Sequence, residues 1–388
     1  MALHEVDALG RAAGDAADRL GTTPAQTMHA AIADRVFGFL GPFGLPARAL
    51  HDGISTAVYA GVRRAVPVGA KVAAAAARLQ GADPEAVSRS KRGSQAQAIV
   101  NGLIGHELAL EDDALAIQLG LWQDGEPVPP TREALEDFLP DATPSLVVFV
   151  HGLFETERSW TLGDDTPYSA LLREQAGWTP LHVRYNTGLP VRETGRKLAW
   201  LLDEVASNYP VELDRIALVG HSMGGMVVRV AGAEGGGWRR HLTHVACLGT
   251  PHQGAPLEQI IHRAAATLSR LPETAAFAGI LDQRSAGIRD LRRGIDAGPL
   301  LEGVHHLFVT ATLTADPQHP IGLLVGDLLV RSDSAAGPAD YDISTEDVVH
   351  LSSLHHFHLL NHASVYQHLR EFLRRPLVMR PQLISGRP

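Results

Sequence analysis

The chain has 388 residues, 45% of them hydrophobic and 20% charged, which supplies a substantial core and excludes wholesale disorder. A formal net charge of −9 argues against a nucleic-acid surface, because phosphate binding needs a concentrated basic face. The single cysteine, Cys247, excludes an intramolecular disulfide framework, and no apolar run reaches the roughly 20 residues of a membrane-spanning helix. Residues 1–7 carry acid where a signal peptide carries base, and no apolar stretch follows, so the expected location is cytoplasmic.

In chain order, the first stretch is rich in Ala, Gly and Arg. Its blocks 25–40, 47–60 and 68–79 have helical composition, separated by the breaks Gly41-Pro42-Phe43-Gly44 and Val66-Pro67. Ile32, Val36, Phe37 and Leu40 recur at helical spacing. This predicts a helical N-terminal region over residues 1–95, packed on a main domain over 96–388. A peripheral membrane or partner-docking surface is the other reading of residues 1–95.

From Ile99 the pattern changes. Leu108-Ala109-Leu110 and the run 115–122 read as two strands around the turn Glu111-Asp112-Asp113, with another turn at Gln123-Asp124-Gly125. A Pro-rich connection at Val128-Pro129-Pro130-Thr131 precedes a short helix before Pro140. Buried strands are then expected at 146–150, 181–185, 216–219, 244–248 and 305–313, and helices at 198–208, 226–233 and 363–373. Alternation of this kind predicts an α/β fold whose mainly parallel sheet is covered on both faces.

Chemistry concentrates in Ile216-Ala217-Leu218-Val219-Gly220-His221-Ser222-Met223-Gly224-Gly225, a G-x-S-x-G segment between an apolar strand and a helical run. A tight strand-to-helix turn exposes the serine on a strained backbone, and the flanking glycines remove the Cβ clashes that would block it. The following helix aims its first N–H groups at a developing oxyanion, so the Met223 N–H is one expected donor. Four histidines crowd Leu354-His355-His356-Phe357-His358-Leu359-Leu360-Asn361-His362, and one of them is the expected base, since histidine titrates near neutral pH.

On these residues the sequence resembles the α/β-hydrolase family, and specifically its lipase-like branch, over about residues 96–375. The resemblance implies an α/β-hydrolase fold with a helical lid and a Ser-His-Asp triad. It implies that Leu153, after the strand-ending His151-Gly152, gives the second oxyanion N–H, while His151 itself shapes the loop. Resembling lipases show a histidine, two intervening residues and then a Leu-Leu pair, which selects His356 as base, with His358 as the alternative. Their Gly-Asp-x-x-Val loop matches Gly326-Asp327-Leu328-Leu329-Val330, with Leu328 where the family usually has glycine. It therefore selects Asp327 as the acid, with Asp333 as the competing carboxylate. Leu248-Gly249-Thr250-Pro251-His252-Gln253-Gly254 resembles the lipase segment that leads into the cap, so the helical stretch 257–294 is the expected lid. Its apolar residues Ile260, Ile261, Leu268, Leu271, Phe277 and Ile280 are candidates for an acyl pocket.

The expected reaction is acyl transfer from a carboxylic ester with a hydrophobic acyl group to Ser222, then to water, with no cofactor. A phospholipase, thioesterase or acyltransferase would use the same residues, and a docking protein without chemistry is the reading from a different class. His358 and His362, four apart, would also suit a zinc ion on a helix, yet no H-E-x-x-H and no aligned third ligand accompany them. Cys247 falls in a predicted buried strand and reads as an inert core thiol. Trp160 follows the oxyanion loop and is given no chemistry.

Overall fold

A computed structural model of the chain describes residues 88–111, 115–163, 165–254, 285–296, 298–312, 330 and 347–376. The expected N-terminal helices at 25–79, most of the expected lid, and both candidate acids, Asp327 and Asp333, lie outside the described residues.

Among the described residues eight strands form one sheet: β1 (Gly120–Gln123), β2 (Glu126–Val128), β3 (Ser145–Val150), β4 (Thr179–Arg184), β5 (Arg215–His221), β6 (Leu242–Leu248), β7 (His305–Thr312) and β8 (Val348–Ser352). Their spatial order is β2-β1-β4-β3-β5-β6-β7-β8. β1 pairs antiparallel with both β2 and β4, and all the other pairings are parallel. The described helices are α1 (Lys91–Leu110), α2 (Arg132–Phe138), α3 (Tyr168–Ala176), α4 (Val191–Asn208), α5 (Met223–Glu234), α6 (Ala286–Arg293) and α7 (Ala363–Leu373).

The continuous apolar runs of β3 through β7 follow from burial on both faces. Strand side chains alternate between faces, so Leu146, Val148 and Val150 join one core while Val147 and Phe149 join the other. The first core packs α4 and α5 on the sheet through residues such as Leu198, Leu202, Met226 and Val230. The second packs α3 and α7 through Tyr168, Leu172, Leu369 and Phe372. Cys247 is wholly buried in the first core, where burial pushes its thiol up to about 12, as suits an inert core residue.

One predicted pair of strands is formed only in part, residues 120–122 of its second run lying in β1. Leu108-Ala109-Leu110 is the last turn of α1, and residues 115–119 are outside any strand. The backbone of this segment is held instead by the buried carboxamide of Asn101 on α1. That side chain donates to the Leu115 carbonyl (2.8 Å) and accepts from the Ile117 N–H (2.9 Å), replacing the ladder a strand neighbour would give. α1 also runs across residues 95 and 96, where the composition changes.

Order along the sheet fixes where a site belongs. From β3 the chain first passes to β4 on one side, then returns to place β5 on the other side of β3. This is a topological switch point, and the crevice outside the carboxyl ends of β3 and β5 is where such sheets bind ligands.

At the end of β4 a fully buried ion pair secures the loop that follows β3. Arg184 Nε donates to Glu157 Oε2 (2.6 Å) and a terminal guanidinium nitrogen to Oε1 (2.5 Å), with both side chains at most 3% exposed. The guanidinium also stacks 3.6 Å from the Trp122 ring centroid and donates to the Ser88 carbonyl (3.1 Å). Arg184→Leu leaves the buried Glu157 charge with only the longer Arg158 contact (3.6 Å), so unfolding in urea should show a loss of about 3–5 kcal/mol. The double variant Arg184→Leu/Glu157→Leu should recover much of it, because an apolar pair of similar size avoids the desolvation cost. An unchanged midpoint in the single variant would show that the pair contributes nothing.

Candidate active site

Ser222 follows the last residue of β5 and precedes the first residue of α5, with φ 52° and ψ −122°. A non-glycine residue in this region is strained and needs surrounding structure to hold it there. The restraint is visible: the Ser222 N–H donates to the Leu248 carbonyl on neighbouring β6 (2.8 Å). Close approach explains the glycines. A methyl group at Gly220 would lie 2.5 Å from backbone atoms of Gly224 and Gly225, and one at Gly224 would overlap the carbonyl oxygens of Val150 and His151. As the first residue of α5, Met223 presents one of the N–H groups that a helix start leaves without an intrahelical acceptor.

Parallel register brings the second expected donor to the same place. Val150 on β3 pairs with Gly220 on β5, so Gly152 and Ser222 each lie two residues past their paired ends. A Cβ on Gly152 would sit 3.0 Å from that of Ser222, so the loop Gly152-Leu153-Phe154 borders the serine directly. Phe154 adopts φ 63°, which turns this loop sharply; its carbonyl accepts from Gln95 Nε2 on α1 (2.9 Å). His151 is wholly buried, stacked on Tyr185 at 4.4 Å, with its backbone carbonyl accepting from the Tyr185 hydroxyl (2.7 Å). Burial holds its imidazole down to about 4, so at neutral pH it is an uncharged loop-shaping residue, as its sequence position implied.

Among the crowded histidines the structure sends only one fully inward. His356 opens the 3-10 turn His356–Leu360, is 2% exposed, and has its ring centroid 4.6 Å from that of His221, the neighbour of Ser222. Its ring also packs under Gly249, at the end of β6. His355, His358 and His362 are all half-buried. His358 stacks on His355 at 3.4 Å, and its Nδ1 accepts from the His355 N–H (3.3 Å). His362 caps α7 by accepting from the Ser364 N–H (3.2 Å). His358→Ala should therefore leave ester turnover within about threefold of the parent, since no transition-state contact is lost. A loss as deep as that of His356→Ala would move the base to His358.

Two residues in the site carried no expectation from the sequence. Glu155 is buried beneath the Gly152-Leu153-Phe154 loop, accepts from the Gly152 N–H (2.7 Å), and lies 3.1 Å from His221 Nδ1. Burial alone would raise its carboxyl, but His221 and the Gly152 N–H outweigh that and hold it below the usual carboxylate range. His221 Nε2 in turn faces the His356 carbonyl at 3.2 Å. The one signal available was a glutamate three residues beyond Gly152, and it resembles an ordinary loop acid. Trp160, which also follows that loop, packs in the second core against Phe149 (4.9 Å), with its ring 6.3 Å from His221.

Among the described residues no helix is long and apolar enough to cross a membrane, and no three His, Cys, Asp or Glu side chains gather as metal ligands.

Two family models match the chain around the serine turn. Residues 197–290 match the family model of the PGAP1-like alpha/beta domain, and residues 141–238 match one described as "Putative serine esterase". Among proteins of curated function none matches the chain. Similar solved structures include the mature form of the Bacillus licheniformis lipase BlEst2, 19% identical with a TM-score of 0.42, covering 59% of this chain and 93% of that one. The Pyrococcus furiosus esterase Pf2001 is 15% identical, with a TM-score of 0.37 and coverage of 61% and 83%. A thermophilic esterase from Thermogutta terrifontis is 17% identical, with a TM-score of 0.36 and coverage of 60% and 90%. By its sheet order and its strained serine turn the chain has the α/β-hydrolase fold, and the two family models that overlap at that turn make it similar there to serine-esterase and PGAP1-like alpha/beta domains.

Proposed function

We propose that the chain hydrolyses carboxylic esters with hydrophobic acyl groups through an acyl-enzyme on Ser222. The observation that carries this reading is the strained Ser222 at the carboxyl end of β5, bordered by Gly152 and with His356 buried close by. In this reading the Ser222 hydroxyl oxygen attacks the ester carbonyl carbon while His356 takes its proton. The carbonyl oxygen becomes an oxyanion held by the N–H groups of Leu153 and Met223. His356 then protonates the departing alcohol, leaving the acyl group on Ser222. Water repeats the sequence, giving up its proton to His356, and releases the acid. Asp327 is the residue proposed to fix the His356 ring and stabilise its charged form. Residues 257–294 are proposed as the lid, and its apolar side chains as walls for the acyl group.

The test is direct. The full chain is incubated with a fluorophosphonate, the labelled peptide is identified by mass spectrometry, and turnover is measured on p-nitrophenyl esters of increasing acyl length. Labelling at Ser222 with turnover that rises with chain length supports the reading. Labelling elsewhere, or no turnover on any ester, overturns it. Parallel assays with thioesters and phospholipids distinguish the acyl-transfer relatives that would use the same residues.

A further inference from the structure

The buried pair Glu155–His221 joins the two halves of the site. We infer that Glu155 and His221 are positioning residues that hold the oxyanion loop and the base His356 in register with each other. This rests on the proposal that Ser222 and His356 perform the hydrolysis.

The geometry forms a chain of hydrogen bonds. Gly152 N–H donates to Glu155 Oε2 (2.7 Å), His221 Nδ1 donates to the Glu155 carboxylate (3.1 Å to Oε1), and His221 Nε2 donates to the His356 carbonyl (3.2 Å). A carboxylate and a carbonyl only accept, so His221 is the donor in its contacts with each. One end of the chain is the backbone of the oxyanion loop and the other is the backbone of the base. The middle member sits beside the nucleophile in sequence. His221 is wholly buried and its ring lies 4.6 Å from that of His356, so movement of one is felt by the other.

Stability does not account for such a pair. Taking a carboxylate and its imidazole partner out of water is costly, and apolar replacements of similar volume are often as stable or more so. Geometry does account for it. His356 rides on a short 3-10 turn and Gly152 on a loop, whereas a reacting constellation tolerates displacements well below 1 Å. The pair fastens both to the end of β5, an element that is buried along nearly its whole length.

The experiment measures kcat and KM on the best p-nitrophenyl ester for the full-length parent, Ser222→Ala, Glu155→Gln, His221→Asn and His221→Gln, with folding followed by circular dichroism and thermal melting. Asparagine retains a donor near the Nδ1 position and glutamine one near Nε2. Glu155→Gln and His221→Asn should lower kcat by about 10- to 100-fold with little change in KM, and the fluorophosphonate labelling rate should fall in step. His221→Gln, which keeps the donor toward His356, should be milder than His221→Asn. Folded variants with kcat within about twofold of the parent, or with changes confined to KM, overturn the inference. So does loss of folding in both Glu155→Gln and His221→Asn, which would assign the pair to stability. If parent activity survives Ser222→Ala, the hydrolase reading itself fails and the positioning role falls with it. A parent that depends on Ser222 beside unaffected pair variants overturns the positioning role alone.

Discussion

Ser222→Ala is expected to lower kcat on p-nitrophenyl esters by roughly 10⁴- to 10⁶-fold, with the far-ultraviolet circular dichroism of the parent retained. The methyl side chain keeps the Cβ that already tolerates φ 52°, so removal of the hydroxyl neither relieves nor adds backbone strain. What disappears is the only group that attacks the carbonyl, along with the purpose of the base. The effects of the two residues are therefore expected to overlap: Ser222→Ala/His356→Ala should be no slower than either single variant, because residues acting as one unit are not additive. Residual hydrolysis above the uncatalysed rate is expected from the oxyanion donors alone. A folded Ser222→Ala protein with parental turnover would remove the nucleophile from this mechanism. A double variant slower than both singles by the product of their losses would show two independent activities.

Asp327→Asn should lower kcat by roughly 10³- to 10⁴-fold, whereas Asp333→Asn should leave it near the parent value. In this fold the acid follows the nucleophile and precedes the base in the chain, after a late strand. β7 ends at Thr312 and β8 begins at Val348, so the acid is expected in the connection between two parallel neighbours at the edge of the sheet that carries His356. An asparagine amide would donate where the carboxylate accepts, which favours the wrong tautomer of the base and leaves its imidazolium without countercharge. Since the change is isosteric, the thermal midpoint should move little. Deep loss in Asp333→Asn and none in Asp327→Asn would transfer the role to Asp333; loss in neither would assign the acid to another carboxylate.

The strands of the sheet centre could be read from the sequence because burial on both faces writes an unbroken apolar run at each of them, as at residues 146–150 and 244–248. β8 carried no such mark. It is half-buried throughout, and its histidine and serine break any run. The error at 108–110 has a similar cause: three residues, Leu-Ala-Leu, are too few to distinguish a helical period from a strand. The choice fell to Asn101, whose carboxamide satisfies Leu115 and Ile117 from α1 and leaves them no need of a strand partner.

The sequence by itself determined the strained serine turn, since strand, Gly-x-Ser-x-Gly and helix are contiguous and the steric demands act within a few residues. It also determined that the sheet would be mainly parallel and covered, because period and composition are properties of each segment. Only the tertiary structure decided which histidine points inward, and that Glu155 and His221 link the Gly152 loop to the turn carrying His356. Those contacts span 66 and 135 positions along the chain. They arise from the register of β3 on β5 and the seating of the 3-10 turn His356–Leu360 beneath β6, and no local pattern encodes a distance between segments that far apart.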